Sequence, residues 1–69
     1  MRLRWHVVKN HYPKVNVDWK RVSTFEEAQI TAQSFCKVKG DSAVIRKYGA
    51  SPAKMRYWRD SVGLQFMDY

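Results

Sequence analysis

One short stretch near the C-terminus, KMRYWRD, has the residue types that bind an anionic partner. It places Tyr57 beside Trp58, and the cations around the two rings are Lys54, Arg56 and Arg59. Aromatic rings stack on nucleic-acid bases, and cationic side chains contact phosphates. Because neighbouring residues of a strand point to opposite faces, one ring belongs to the core and the other to a surface.

The other reactive residue types do not form a catalytic or metal-binding pattern. His6 and His11 are the only histidines, and neither has a cysteine or carboxylate beside it at the spacing of metal ligands. Cys36, the only cysteine, lies in an amphipathic segment and is predicted to be a core residue rather than a nucleophile. The three glycines are isolated and form no phosphate-binding loop. We therefore predict a binding protein that is not an enzyme and uses no metal or cofactor.

Composition indicates one small folded domain, residues 1–69. Apolar residues make up 45% of the chain and aromatic residues 14%. With a single cysteine no intrachain disulfide can form, which suits a reducing compartment. The N-terminus lacks the apolar core of a signal peptide, and no stretch reaches the ~18 apolar residues of a membrane span. We expect a cytoplasmic protein without a membrane partner.

Charge narrows the class of partner. The chain carries 13 Lys and Arg against six Asp and Glu, which gives a net charge of +7. Such a field favours phosphate backbones, anionic membranes or acidic protein surfaces. The same charge can also act only to keep a small protein dissolved, since net charge alone specifies no partner.

Alternating residues predict two N-terminal strands joined as a hairpin. In the first strand the apolar residues Leu3, Trp5 and Val7 alternate with Arg2, Arg4 and His6. In the second strand the apolar residues Val15, Val17 and Trp19 alternate with Lys14, Asn16, Asp18 and Lys20. Pro13 cannot donate to a strand ladder and marks the turn between them.

A helix is predicted next, because STFEEAQ contains two overlapping capping boxes. These boxes pair Ser23 with Glu26 and Thr24 with Glu27. The apolar stripe of the helix consists of Phe25, Ala28, Ala32, Phe35 and Cys36. Gly40 is predicted to end the helix in the left-handed conformation, and Ile30 lies on the side opposite the stripe.

Three more strands complete the predicted fold. The β-branched run DSAVIRKYG suits a third strand, and AKMRYWRDSVGLQFMDY is predicted to form a second hairpin with its turn at 60–63. This ββαββ layout predicts a single α+β domain with a mainly antiparallel sheet and one helix packed on one face.

One helix covers only one side of a sheet, so the other face is left for water or a partner. If Met55 and Tyr57 face the helix, Arg56 and Trp58 lie on the uncovered face, together with cations of the first hairpin. The opposite phase buries Trp58 and exposes Tyr57, and the sequence leaves both phases open. The residues predicted to bind a partner or nucleic acid are Arg56, Trp58 and Arg59, then Arg2, Arg4, Lys20 and Arg21, with Lys54 beside them.

The order of these parts carries a resemblance. A strand opening on WHVV, a helix STFEEAQITAQSF, a strand AVIRKY and a closing hairpin MRYWRDSVGLQFMDY resemble small phage-encoded ββαββ inhibitors. In layout the chain is most similar to anti-CRISPR proteins of the type I-F class. The resemblance implies a non-catalytic inhibitor in the cytoplasm of a bacterial host. Such an inhibitor would dock on a nucleic-acid-handling complex through its basic face.

The residues alone favour a second function and a structural alternative. The second function is a direct DNA- or RNA-binding module that uses a basic sheet face with an exposed aromatic ring. The structural alternative is a homodimer in which the last strand, ending at Tyr69, pairs edge to edge with a second copy.

Overall fold

The computed structural model describes residues 3–48 and 52–69, which form one five-stranded sheet and one helix. The elements are β1 Trp5–His11, β2 Lys14–Val22, α1 Phe25–Phe35, β3 Asp41–Lys47, β4 Ala53–Arg59 and β5 Leu64–Asp68. Strand order across the sheet is β2-β1-β3-β4-β5, and every neighbouring pair is antiparallel. The predicted α+β class with one helix on one face is confirmed. The full order is ββαβββ, because three strands follow the helix.

The helix begins at a capping box. Thr24 is the N-cap, and its hydroxyl accepts a hydrogen bond from the Glu27 amide at 3.1 Å. The Glu27 carboxylate accepts a hydrogen bond from the Ser23 hydroxyl at 2.9 Å. The first contact satisfies the Glu27 amide, which has no partner within the helix. Glu26 and Glu27, the two acids of the first turn, complement the helix dipole. The box at Thr24 and Glu27 is confirmed. In the second predicted box Ser23 bonds to Glu27 rather than to Glu26.

Small side chains of α1 pack against the middle of the sheet. The buried helix residues are Ala28, Thr31 and Ala32. The sheet side of the core consists of Val7, Val22, Ala43, Ile45, Met55 and Tyr57, each at most 4% exposed. Because the helix side chains are short, the helix backbone lies close to the strands and a few residues fill the interior.

Cys36 closes this core at the end of the helix. It is the C-cap residue and is fully buried. Burial raises the pKa of its thiol to about 11, so the sulfur is protonated and unreactive at neutral pH. The prediction that Cys36 is a packed core residue is confirmed.

The position of the helix decides which ring of the Tyr57–Trp58 pair is buried. Tyr57 is 3% exposed, and its hydroxyl accepts a hydrogen bond from the Gln33 side chain of α1 at 3.4 Å. Met55, two residues earlier, is also buried under the helix. Trp58 therefore points to the uncovered face, which is the first of the two phases that the sequence allows.

The predicted phase of β2 is wrong. Val22, at the end of β2, is buried, because the chain passes from it directly into the helix. Side chains alternate along the strand, so Lys20 lies on the helix side, where it pairs with Val7 of β1. Trp19 pairs with Val8 and lies on the uncovered face. The sequence pattern fails here because β2 is an edge strand with little burial, so its apolar residues do not mark the core side.

The end of the helix also differs from the prediction. α1 ends at Phe35, and Cys36 rather than a glycine is its cap. Gly40 does adopt a positive φ of 97°, but it lies in the turn that enters β3. The positive φ favours glycine there, whereas a Cβ would lie at an ordinary contact distance of 3.4 Å from the His11 ring.

A buried carboxylate holds the connection between α1 and β3. Asp41 accepts hydrogen bonds from the backbone amides of Lys37 at 3.0 Å and Val38 at 3.1 Å. Its other oxygen lies 2.6 Å from Nδ1 of His11 on β1. Burial alone would raise the pKa of Asp41, but these hydrogen bonds and the Lys9 ammonium, 3.9 Å away, outweigh burial and lower it. One side chain thus ties the helix end to two strands.

Neither a membrane-spanning helix nor a metal-binding cluster is found in the part of the chain that the structure describes. None of its helices has the length and apolarity that crossing a bilayer requires. No three side chains among its His, Cys, Asp and Glu residues gather as metal ligands.

Asp41→Asn is expected to lower the free energy of unfolding by about 1–3 kcal/mol, because charge-assisted hydrogen bonds to a buried group are lost. The folded-state pKa lies below the unfolded value, so the stabilisation by Asp41 is present above the unfolded pKa. It is lost as pH falls through the folded pKa, below about pH 4. Urea denaturation at neutral and acidic pH measures both effects, and the variant should lose this part of the acid sensitivity.

The matched control is Asp68→Asn, an exposed carboxylate for which the described residues provide no hydrogen bond or ion pair. It should change stability by less than about 0.5 kcal/mol. Equal midpoints for Asp41→Asn and the wild type would contradict the role of Asp41.

Candidate functional site

The sheet face without the helix is here named the open face. Its residues follow from the strand register, because directly paired residues point the same way. On β1 and β2 it comprises His6, Val8, Asn10, Trp19 and Arg21. On β3, β4 and β5 it comprises Ser42, Val44, Arg46, Arg56, Trp58, Gln65 and Met67.

Positive charge lies on the open face, and carboxylates are absent from it. Its arginines are Arg21, Arg46 and Arg56. All six acidic residues of the chain lie elsewhere. Asp18, Asp41 and Asp68 are at helix-side positions, Glu26 and Glu27 are on α1, and Asp60 is in the turn between β4 and β5. No described residue forms an ion pair with any of the three arginines. The open face therefore carries positive charges that no carboxylate of the described residues neutralises.

Aromatic rings hold Arg21 in place. Its guanidinium carbon lies 5.1 Å from the centre of the Trp19 ring and 4.4 Å from the centre of the Tyr48 ring. His6 stacks on the same Trp19 ring, with centroids 5.7 Å apart and 12° between the planes. These contacts restrict the rotamers of the arginine and leave its N–H groups without a partner among the described residues. The charge is thus positioned before any ligand binds.

His6, Arg21 and Arg46 form a row across three strands, here named the basic row. His6 pairs with Arg21 of β2 on one side and with Arg46 of β3 on the other. Neighbouring strands are ~4.8 Å apart, so the three side chains stand close together. Burial lowers the pKa of His6, and the charges of Arg21 and Arg46 lower it further. At neutral pH the imidazole is therefore mainly uncharged between two cations.

A second feature of the open face lies on β4, around Arg56 and Trp58. The guanidinium of Arg56 is 5.8 Å from the centre of the Trp58 ring. Both residues line a groove of about 500 Å³ that also includes Asn10, Tyr12 and Met67. Trp58 is half-buried, so part of its ring remains accessible beside a cation. This pairing suits a flat, electron-rich group such as a nucleic-acid base.

The structure brings some of the predicted binding residues together and separates others. Arg21, Arg56 and Trp58 lie on the open face. Arg4 is exposed beside Arg21 and Tyr48, and Lys54 is exposed at the β3–β4 register shift. Arg2 lies outside the described residues.

Two predicted residues do not belong to the open face. Lys20 pairs with Val7 and lies on the helix side. Arg59 pairs with Leu64, also on the helix side, and its Nε donates to the Cys36 carbonyl at 2.7 Å, although the residue also lines the groove at Arg56 and Trp58. Arg59 therefore supports the end of the helix, a role that the sequence prediction of a free surface cation did not include.

Sequence reasoning missed three residues of this surface, namely Arg46, Trp19 and Tyr48. Arg46 is out of phase with the buried Ala43 and Ile45, and that alternation is a signal in the sequence. Trp19 was assigned to the apolar side of its strand, and only the pairing with β1 corrects this. The contact of Tyr48 with Arg21 joins residues from two elements that are distant in sequence, so no local pattern reports it.

Comparison with known proteins gives no guide to this surface, since no family model, no curated protein and no solved structure matches the chain.

Arg59→Ala is expected to lower the free energy of unfolding by about 1–2 kcal/mol, because the helix-end carbonyl of Cys36 loses its partner. Arg56→Ala, three residues earlier on the same strand, removes the same charge from the open face and should cost less than about 1 kcal/mol. Urea denaturation of both variants measures the difference. A larger loss for Arg56→Ala would contradict the assignment of the two roles.

Proposed function

We propose that the protein binds single-stranded nucleic acid on the open face of its sheet. The observation that supports this most strongly is the separation of charge, with three arginines on this face and all six carboxylates elsewhere. A polyanion is attracted to such a face without competition from internal ion pairs. The proposed protein is a non-catalytic binding module.

The rings on the same face favour a single strand over a duplex. Trp58 is partly accessible beside Arg56, and Trp19 and Tyr48 flank Arg21. Unpaired bases can stack on aromatic side chains and on guanidinium planes, whereas duplex bases are already stacked on one another. An uncovered sheet face also presents these groups along an extended strand.

The first test compares two double variants with equal net charge. Arg21→Ala/Arg46→Ala removes two cations from the open face, and Lys20→Ala/Lys47→Ala removes their sequence neighbours, which lie on the helix side. Each changes the net charge from +7 to +5 by loss of two cations. In fluorescence anisotropy with a labelled single-stranded oligonucleotide, the open-face pair should lose about tenfold or more in affinity. The control pair should lose less than about threefold.

The salt dependence of the same titrations separates specific contacts from general attraction. The log–log slope should fall by about 0.7 for each phosphate contact that the open-face pair removes. Equal losses of affinity and slope in the two double variants would contradict the proposed surface. Tighter binding to duplex than to single strands would contradict the proposed ligand class.

Trp58→Ala is expected to reduce the affinity for single strands by about tenfold and to leave the salt slope unchanged, because stacking on a base involves no counterion release. Trp5→Phe is the control, since Trp5 packs on the helix side against Phe25 at 4.9 Å between ring centroids. An unchanged affinity for Trp58→Ala would exclude Trp58 as a stacking residue.

A second candidate function is an inhibitor that docks on a host nucleic-acid-handling complex in the cytoplasm. The observation that favours it is a set of apolar side chains that a nucleic-acid ligand does not need. Ile30 on α1 is 66% exposed, and Phe66 on β5 is 62% exposed beside Tyr57. Such residues can anchor a protein partner. The absence of oligonucleotide binding at low salt, with capture of a nucleoprotein that Phe66→Ala weakens, would favour this function.

A further inference from the structure

We propose that the basic row of His6, Arg21 and Arg46 is a binding site for one phosphate group, and that His6 takes up a proton when the phosphate binds. This inference rests on the proposed function and extends it to residues that the stacking argument at Trp58 does not use. The ligand is a phosphate of the nucleic-acid backbone.

The row holds two cations that no neighbouring carboxylate offsets. His6 stands directly opposite both arginines, so their charges oppose its protonation in the free protein. No carboxylate lies on the open face to offset them. Neither guanidinium hydrogen bonds to a described residue, so their donors are free. An incoming phosphate would supply the missing negative charge and accept from several of these donors.

The row lines an open groove that a backbone phosphate can enter. His6, Arg21 and Arg46 line a groove of about 460 Å³ together with Val8, Asn16 and Tyr48. The Trp19 and Tyr48 rings contact the guanidinium of Arg21, and its N–H groups can form two parallel bonds to phosphate oxygens. The three side chains of the row thus converge on one groove.

The charged groups that face His6 act in one direction. From β2 this is Arg21, from β3 it is Arg46, and the uncharged neighbours are the stacked Trp19 ring and Tyr48, which lines the same groove. Burial and the two arginines disfavour the protonated imidazole in the free protein. A bound phosphate reverses the local charge balance and favours it. By linkage, phosphate binding should then strengthen as the pH falls through the titration of His6.

The test is an NMR titration of the histidine side chains in the wild-type protein against pH. It is done with no anion, with inorganic phosphate, with a short single-stranded oligonucleotide, with anionic lipid vesicles, and with chloride at matched ionic strength. The pKa of His6 should rise with phosphate and with the oligonucleotide but not with chloride. His11 is the internal control, because it lies on the helix side and bonds to Asp41.

Three variants give further readouts, two by anisotropy and one by the His6 titration. The wild type should bind the oligonucleotide about tenfold more tightly at mildly acidic than at mildly alkaline pH, the factor given by one charge-assisted hydrogen bond. His6→Gln should lose this pH dependence, while Arg21→Ala/Arg46→Ala should abolish the shift in the His6 titration. His11→Gln should retain the pH dependence if it folds, which circular dichroism checks.

Each result separates this inference from the function on which it rests. Salt-dependent oligonucleotide binding with an unchanged His6 titration would overturn the phosphate site and leave the proposed function intact. No binding of oligonucleotide or phosphate at any pH would overturn both. A His6 shift with anionic lipid vesicles but not with oligonucleotides would overturn the assignment to a nucleic-acid phosphate.

Discussion

The packing of one short helix against one face of the sheet is the constraint on which the rest of this structure depends. The helix presents Ala28, Thr31 and Ala32, which are too small to fill a core unless the strands lie close beneath them. Val7 and Ile45 fill the space from the two strands below the helix. Once these residues are buried, the alternation of side chains assigns every other position of each strand to the opposite face.

The helix end is part of the same constraint. Asp41 accepts hydrogen bonds from the two backbone amides that follow the helix, and it also bonds to His11. Arg59 donates to the carbonyl of Cys36. The polar groups at the end of α1 are thus satisfied by residues from β3 and β4, and His11 of β1 holds Asp41 in place. These contacts join the helix to the sheet as one unit. They also use a carboxylate and a cation that would otherwise contribute to the surface.

The separation of charge on the surface follows from this use of the acids. Asp41 is buried under the helix, and Glu26 and Glu27 are at the helix N-terminus, where they complement its dipole. The open face is left with arginines, aromatic rings and a histidine whose pKa is lowered. A sheet that places His6 between two arginines disfavours the protonated imidazole and leaves a field that attracts anions.

The residue pattern by itself determined the elements of this protein. The alternation in WHVV and in MRYW, the capping box at Thr24 and Glu27, and the burial of Cys36 were all predictable, because each depends on local geometry and on apolar character within one segment. The excess of basic charge was equally plain. Of the candidate site, Arg21, Arg56 and Trp58 were identified as binding residues, but not their arrangement.

Only the tertiary structure determines which residues of different strands lie on the same surface. Edge strand β2 buries only Val22, so its apolar pattern misassigned Trp19 and Lys20 until pairing with β1 set the phase. The basic row is formed by residues up to 40 positions apart, which only the β2-β1-β3 order brings side by side. Arg59 and Arg56 look alike in sequence, yet they lie on opposite faces, because side chains alternate along a strand and the two residues are three positions apart. Contacts between distant elements have no local signature, and for that reason the site required the fold.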